Sequence, residues 1–401
     1  MDTQFLHENR LTQEKWPQTF FEFKLENMML SKFMGTGPDN IIQINKDLTG
    51  KEVGDRLTFQ LELPLSNAGQ GDDGTLESNE ESMNFYNFQL QIHERSNAVR
   101  SAGKMSDKRT KVDIRRQATG ALGRWAAEQE DNDLVYALSG LGNQNTYAGE
   151  GTSDIETVNE HAPSANRILY GGQTVAGVAQ WQASDSALTN ANATNGALTD
   201  YLFGTQVISI AKRKAQLASP KFRPININGK SYYVMFIHPF QTASLRAETG
   251  ALGWSAIQSA ANVRGINNPL LTKSGSGKDR MFDGAVGVWD DVILFEYDRI
   301  QTRVAGEVFD NGDTLNANVT DGTYAVARAL LCGCQAGVIG FGQMWKRYEK
   351  DFDYNRKPGT AIDALYGVSK TRFNDPGALQ DANNEQEDFA VMCVDTIIVN
   401  D

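Results

Sequence analysis

One long helix constrains this chain more than any other feature of its sequence. In the stretch Ser106–Gly140, Ser106 offers a side-chain oxygen as an N-cap, and Thr110 with Asp113 repeats the capping-box spacing a turn later. Gly140 supplies the stop. The spacing predicts a single helix over Asp107–Leu138, about 45 Å long at about 1.5 Å per residue. Ile114, Ala118, Ala121, Leu122 and Trp125 recur at helical spacing and make a stripe that faces a core. The opposite side carries Lys108, Arg109, Lys111, Arg115, Arg116 and Arg124. The acidic run from Glu128 to Asp133 interrupts the stripe, and a kink or split is expected there. A helix this long is a beam along which other elements must pack.

The partners of such a beam are limited by composition. With 401 residues, 40% of them hydrophobic and 22% charged, the chain can bury a sizeable core. A net charge of −12 argues against general nucleic-acid binding, which needs basic surface to neutralise phosphates. The N-terminus has no basic and apolar leader pattern. The most apolar region, Ala325–Phe341, is broken by Arg328 and Gln335, so no membrane span is expected. Cys332, Cys334 and Cys393 cannot form a disulfide framework, and synthesis in a cytosol is expected.

Residues 1–50 read as an apolar arm containing Phe20, Phe21, Phe23, Leu25, Met28, Met29 and Leu30, broken by Gly35-Thr36-Gly37-Pro38. Such an arm docks either on a neighbouring molecule or on its own subunit. Leu57, Phe59, Leu61 and Leu63 then alternate with polar residues, as Phe88, Leu90 and Ile92 do on the return, which predicts a hairpin. Its polar excursion, Asn67–Ser82, favours a flexible tip. A two-stranded arm is marginal alone in water and needs a neighbouring surface. Beyond the beam, residues 141–196 form a long-loop region and Ala197–Leu217 a helix. Strands are predicted at Tyr232–Ile237 and Asp291–Glu296, with a short helix after His238-Pro239. Late strands follow at Tyr324–Leu331, Trp345–Asp353 and Phe389–Val399. Without regular β-α-β alternation, the class is α+β.

Catalytic and ligand-binding signatures fail at their defining positions. Lys273–Lys278 resembles a phosphate loop, but Thr272 and Asp279 stand where the pattern needs Gly and Ser or Thr. His93-Glu94 ends at Asn97, without the second histidine of a zinc motif. Gly337–Gly342 has its glycines in the wrong order for a dinucleotide fingerprint, and Cys332-Gly333-Cys334 reads as buried structural cysteine. His238 before Pro239 reads as a cap, not a base. No catalytic residue, cofactor or metal ligand is therefore expected.

The order of arm, polar-tipped hairpin, beam helix, mixed lobe and return strands resembles the major capsid proteins of tailed bacteriophages with the Hong Kong 97-type fold. A closer resemblance is to the coat proteins of schitoviruses, podoviruses with a large virion-packaged RNA polymerase. It is carried by Tyr233–Pro239, Val288–Glu296 and Ala361–Val368. The resemblance implies an N-terminal arm (1–52), an extended E-loop (53–103), a spine helix with peripheral domain (104–200), an axial domain (201–343) and peripheral return strands (344–401). It implies a shell of hexamers and pentamers around double-stranded DNA that is held without specific binding. Portal, scaffold and decoration proteins would be further partners, and the virion the location, after synthesis in the bacterial cytoplasm. A shell for a cellular compartment is the alternative of the same fold, and a hydrolase with an unmarked carboxylate pair is a third reading.

Inter-subunit contacts are expected from Phe20, Phe21, Phe23, Leu57, Phe59, Leu61, Phe88 and Leu90. Some relatives crosslink through an E-loop lysine, but no lysine occurs here between Lys51 and Lys104, so that chemistry lacks its nucleophile. Only about fifty residues precede the hairpin, which favours a separate scaffold protein. The acidic run Glu128–Asp133 and the series Glu8, Glu14, Glu22 and Glu26 are candidates for an inner surface that repels packaged DNA.

Overall fold

The computed structural model describes residues 30–49, 54–62, 85–109, 114–140, 163–171, 202–218, 221–227, 229–248, 285–300, 324–354, 356–373 and 387–399, with isolated residues and short pieces elsewhere. In chain order the main elements are β1 (Ile42–Asn45), β2 (Arg56–Glu62), β3 (Phe85–Gln91), β4 (His93–Arg100), α1 (Lys104–Arg109) and α2 (Ile114–Ser139). They continue with β5 (Ile168–Tyr170), α3 (Thr205–Leu217), β6 (Lys230–Ile237), α4 (Pro239–Ala247), β7 (Ala285–Trp289) and β8 (Val292–Glu296). Four long strands complete the set: β9 (Tyr324–Cys332), β10 (Gly337–Phe352), β11 (Lys357–Lys370) and β12 (Val391–Val399).

Two sheets carry the molecule. In the first, β1, β10, β11 and β4 lie side by side, with Met34–Gly35 beyond β1 and Val158–Asn159 beside β11. The β10–β11 hairpin is its spine, antiparallel from Gly337 opposite Lys370 to Phe352 opposite Lys357, with irregular register around Gln343. The second sheet runs β7-β8-β6-β9-β12-β5, mixing parallel and antiparallel neighbours.

The apolar run in β6 follows from covering that second sheet on both faces. Tyr233, Met235 and Ile237 join Leu294, Leu331 and Met392 on one face, where Val207, Ile208 and Ala211 of α3 pack. Val234 and Phe236 face the other way, into the main core with Ile293, Phe295, Leu330, Phe33, Leu134 and Leu138. That core joins the second sheet, the C-terminal half of α2 and the first sheet through Ile339, Phe341, Tyr366 and Val368.

Helix α2 has 26 residues, about 39 Å by the usual rise, and runs unbroken through the acidic run. The expectation of a split is therefore corrected. The buried stripe is Ala118, Leu122 and Ala126, and Ala121 is exposed. Trp125 meets Trp345 edge to face at 5.9 Å. Gly140, at φ +64°, returns its N–H to Tyr136 O and ends the helix as expected. The predicted start differs. Ser106 lies inside α1 and not at its start, because a capping preference is a weak local bias. The Thr110–Asp113 box falls outside the described residues.

Two other expectations are corrected. The helix predicted from Ala197 begins at Thr205, where the Glu248 carboxylate, 43 residues away, accepts from Thr205 N (3.3 Å) and Oγ1 (2.8 Å). The arm is not all arm. From Leu30 onward it is part of the subunit, with Leu30, Phe33, Ile41 and Ile42 buried and β1 paired to β10. Strand pairing also cuts across the linear partition. β12 lies beside β9 in the second sheet, away from the return hairpin β10–β11 in the first.

Candidate functional site

The β2–β3 ladder runs from Arg56 opposite Gln91 to Glu62 opposite Phe85 and belongs to neither large sheet. Among the described side chains, those at its root are seated. Leu57, Phe88 and Leu90 are buried with Val338 of β10, Phe59 is half-buried, and the Phe59 and Phe88 rings stack at 6.1 Å. The seat is lined by glycines because side chains of the hairpin root, and at Gly367 its backbone, come too close for a Cβ. A Cβ at Gly340 would stand 2.4 Å from Leu57 Cδ1, and one at Gly342 would stand 2.6 Å from Ile92 Cδ1. At Gly367 it would stand 2.1 Å from the backbone oxygen of Gln91. The glycines that fail as a dinucleotide fingerprint are thus a platform for the hairpin root.

This placement corrects part of the expected contact set. Leu57, Phe88 and Leu90 are covered by their own subunit. Alternation shows which face of a strand is apolar and says nothing of whose surface covers it. Leu61 belongs to β2, opposite Tyr86. Phe20, Phe21 and Phe23 fall outside the described residues.

A second group of residues fixes α2 between the sheets. The Asp133 carboxylate is buried, accepting from Arg95 Nη1 of β4 and from the Tyr366 hydroxyl of β11 at 2.7 Å. Arg95 Nη2 donates to Gln129 Oε1 at 2.7 Å. Two residues earlier, Asp131 is also buried and accepts from the Tyr297 hydroxyl beyond β8 and from Leu30 N at 3.5 Å. Glu130 accepts from Trp345 Nε1 of β10. At the helix end, Arg328 Nη1 donates to Ser139 O at 2.7 Å, while Nε and Nη2 hold Asp395 in a two-pronged pair at 2.7 Å each.

The reading of Glu128–Asp133 as a DNA-repelling wall is therefore corrected: Asp131 and Asp133 face the interior, and Glu130 binds Trp345. The series Glu8–Glu26 lies outside the described residues.

Burial pushes the Glu130 and Asp131 carboxyls above the ordinary carboxylate range, against the hydrogen bonds from Trp345 and Tyr297. The folded subunit thus holds these protons more tightly than the unfolded chain does. Stability falls as pH rises from the unfolded value toward the raised one. Glu130→Gln keeps an oxygen for Trp345 and removes one titrating group. Its melting temperature should decline less than that of the parent as pH rises above the ordinary carboxylate range. Equal slopes for the two proteins would contradict this.

The sequence candidates for chemistry have structural tasks. His238 caps α4, its Nδ1 accepting from Phe240 N while Gln241 Oε1 accepts from His238 N. The three cysteines are free and buried, and burial pushes the Cys334 and Cys393 thiols up to about 11. Lys370 and Arg372 converge on Asp388 at 2.9 and 3.0 Å, a buried ion cluster that Ser164 N joins at 3.2 Å. No group of three or more His, Cys, Asp or Glu placed to hold a metal occurs among the described residues.

Two sheets clasp one long helix, and a hairpin is rooted on a glycine seat. The chain belongs to the phage capsid protein family, whose family model matches residues 7–400, and its place there is that of a major capsid protein. It is 26% identical over 399 residues to the major capsid protein of Pseudomonas phage KPP25, covering 96% of each chain. Among solved structures it resembles the capsid of Ralstonia phage GP4, with a TM-score of 0.71, 26% identity and coverage of 100% of this chain and 99% of that one. It also resembles the capsid of cyanophage Pam1, with a TM-score of 0.68, 20% identity and 98% coverage of both. The fold is the α+β Hong Kong 97-type capsid fold.

Proposed function

We propose that this chain assembles as hexamers and pentamers into an icosahedral phage head enclosing double-stranded DNA. It is made in the bacterial cytoplasm, resides in the virion and catalyses no reaction. Portal, scaffold and decoration proteins are its further partners, and DNA fills the shell without specific binding. A kinship with schitovirus coat proteins, carried by the segments in β6, β7–β8 and β11, belongs to the same proposal.

The observation that carries the reading is the β2–β3 ladder, rooted on the first sheet and, among the described residues, paired to no third strand. A two-stranded ribbon gains its stability from a surface that covers it. In a closed shell that surface is a neighbouring copy, for which Phe59, Leu61 and the arm residues Phe20, Phe21 and Phe23 are the proposed contacts. Many such contacts stabilise the subunit by mass action.

Expression followed by electron microscopy tests this. The full chain is expected to form closed shells, and a variant lacking residues 67–82 a folded subunit without them. Normal particles from the deletion variant would sink the clamp. Shells that enclose protein cargo and no nucleic acid would favour a cellular compartment.

A further inference from the structure

We infer that the corner of the subunit where α3 ends and β6 begins is a docking surface for duplex DNA, holding its phosphates without regard to sequence. The inference rests on the reading of the chain as a shell around double-stranded DNA and adds where that polyanion touches it.

The sequence divides its charge unevenly. Residues 201–247 contain seven basic residues, six of them from Lys212 to Lys230, and no aspartate or glutamate. Acids are 50 of the 401 residues, so a stretch of this length would ordinarily hold about six. The stretch carries +7 and the rest of the chain −19.

The fold gathers six of these cations at one end of the second sheet. There β6 and β8 start side by side, Tyr233 next to Val292, and β9 ends with Cys332 opposite Val234. Helix α3 reaches the same end, because Lys212 Nζ donates to Asp290 and Asp291 of the β7–β8 turn at 2.8 and 2.9 Å. Beyond α3, Phe222 N donates back to Ala215 O at 3.2 Å, which folds Lys221 and Arg223 under the last turn of the helix. Residues Ile225–Ile227 then pair with Lys230–Tyr232, so Lys230 joins the group.

The acids met at this corner are engaged. Lys212 spans both aspartates of the turn, and Arg223 pairs with Asp39. Six cations thus share three carboxylates, and Arg213, Lys221 and Lys230 are exposed beside them. Exposed Gln216 and Asn226 add amides of the kind that bind phosphate oxygens.

Duplex DNA fits this corner better than an acidic protein segment does. It presents one phosphate charge about every 1.7 Å along its axis, so cations spread over helix end, loop and strand all meet one. An acidic segment would need its carboxylates at matching positions. The −19 of the remaining chain opposes the contact, so affinity should fall in the non-specific range, about 10⁻⁴–10⁻⁶ M at physiological salt.

Fluorescence anisotropy of the unassembled full chain with short duplexes of two unrelated sequences tests this. The parent should bind both alike, with log K falling linearly as log salt rises. R213E/K221E/K230E and the gentler R213Q/K221Q/K230Q should stay folded by circular dichroism and bind about tenfold or more weakly. In the neutralised variant the salt slope should be shallower by about 1 for each cation removed. K346E/K350E, on exposed positions of β10, should bind as the parent does. Parental affinity in both triple variants, or an equal loss in K346E/K350E, would overturn the proposal. So would capture of poly-glutamate without capture of duplex, which would assign the corner to an acidic protein. Triple variants that bind duplex normally yet form no shells would make the corner a contact between subunits, and the proposal would fall. Shells are scored separately by electron microscopy, so their absence in the parent defeats the capsid-assembly reading, whereas unchanged affinity defeats only this corner.

Discussion

Arg328→Ala should lower the stability of the unassembled subunit by about 3–5 kcal/mol, the usual effect of stripping one partner from a buried ion pair. Arg328 and Asp395 are each 4% exposed, and the guanidinium also satisfies a carbonyl in the last turn of α2. Its loss leaves the Asp395 carboxylate and the Ser139 oxygen without those donors in a site that water does not reach. Arg328→Met fills the volume but keeps the orphaned carboxylate, so it should be nearly as costly. The double variant Arg328→Met with Asp395→Leu removes both charges and should recover much of the loss. Urea denaturation with unchanged m-values measures all three. A single-variant cost below about 1 kcal/mol would show that the pair does not anchor the helix end.

Gly367→Ala should cost about 1–3 kcal/mol and also impair shell formation. The added methyl would meet the Gln91 backbone oxygen at 2.1 Å, so no side chain can swing aside to relieve it. Either the β4–β11 pairing or the hairpin root must shift, and a small tilt at the root becomes a large displacement at the tip. Gly340→Ala presses on side chains of Leu57 and Leu90 and should be milder for stability. Gly120→Ala is the control. It lies in open space on α2 and should stabilise the subunit by up to about 1 kcal/mol. Equal stability and equal particle yield for Gly367→Ala and Gly120→Ala would show that the glycine platform does not set the hairpin.

Short-range features were legible in the sequence. Gly140 ended the helix, His238-Pro239 opened α4, and the six apolar residues of Tyr232–Ile237 marked a strand covered on both faces. The resemblance carried by three packing segments led to the capsid fold. What stayed hidden depends on partners distant in sequence. The acidic run reads as solvated surface because nothing local identifies Arg95, Tyr297 and Tyr366 as its partners. Thr205 starts a helix because of Glu248, which no capping pattern near residue 205 contains. Gly340, Gly342 and Gly367 look like flexibility until the hairpin root is laid over them. The burial of Leu57, Phe88 and Leu90 by their own subunit stayed hidden for a related reason, since periodicity is blind to which molecule supplies the cover.

The polar anchors of α2 have a mechanical consequence. Apolar contacts are non-directional and let two layers slide at little cost, whereas a two-pronged guanidinium pair loses strength when either layer shifts sideways. Asp133 ties the helix to the first sheet, while Asp131 and the Ser139 carbonyl tie it to the second and its flank. Tension pulling the two sheets apart in the plane of a shell would load these three rivets in series along one rod. The subunit should therefore be stiff along the axis of α2 and softer across it, and a pressurised shell built from it would stretch unequally in the two directions.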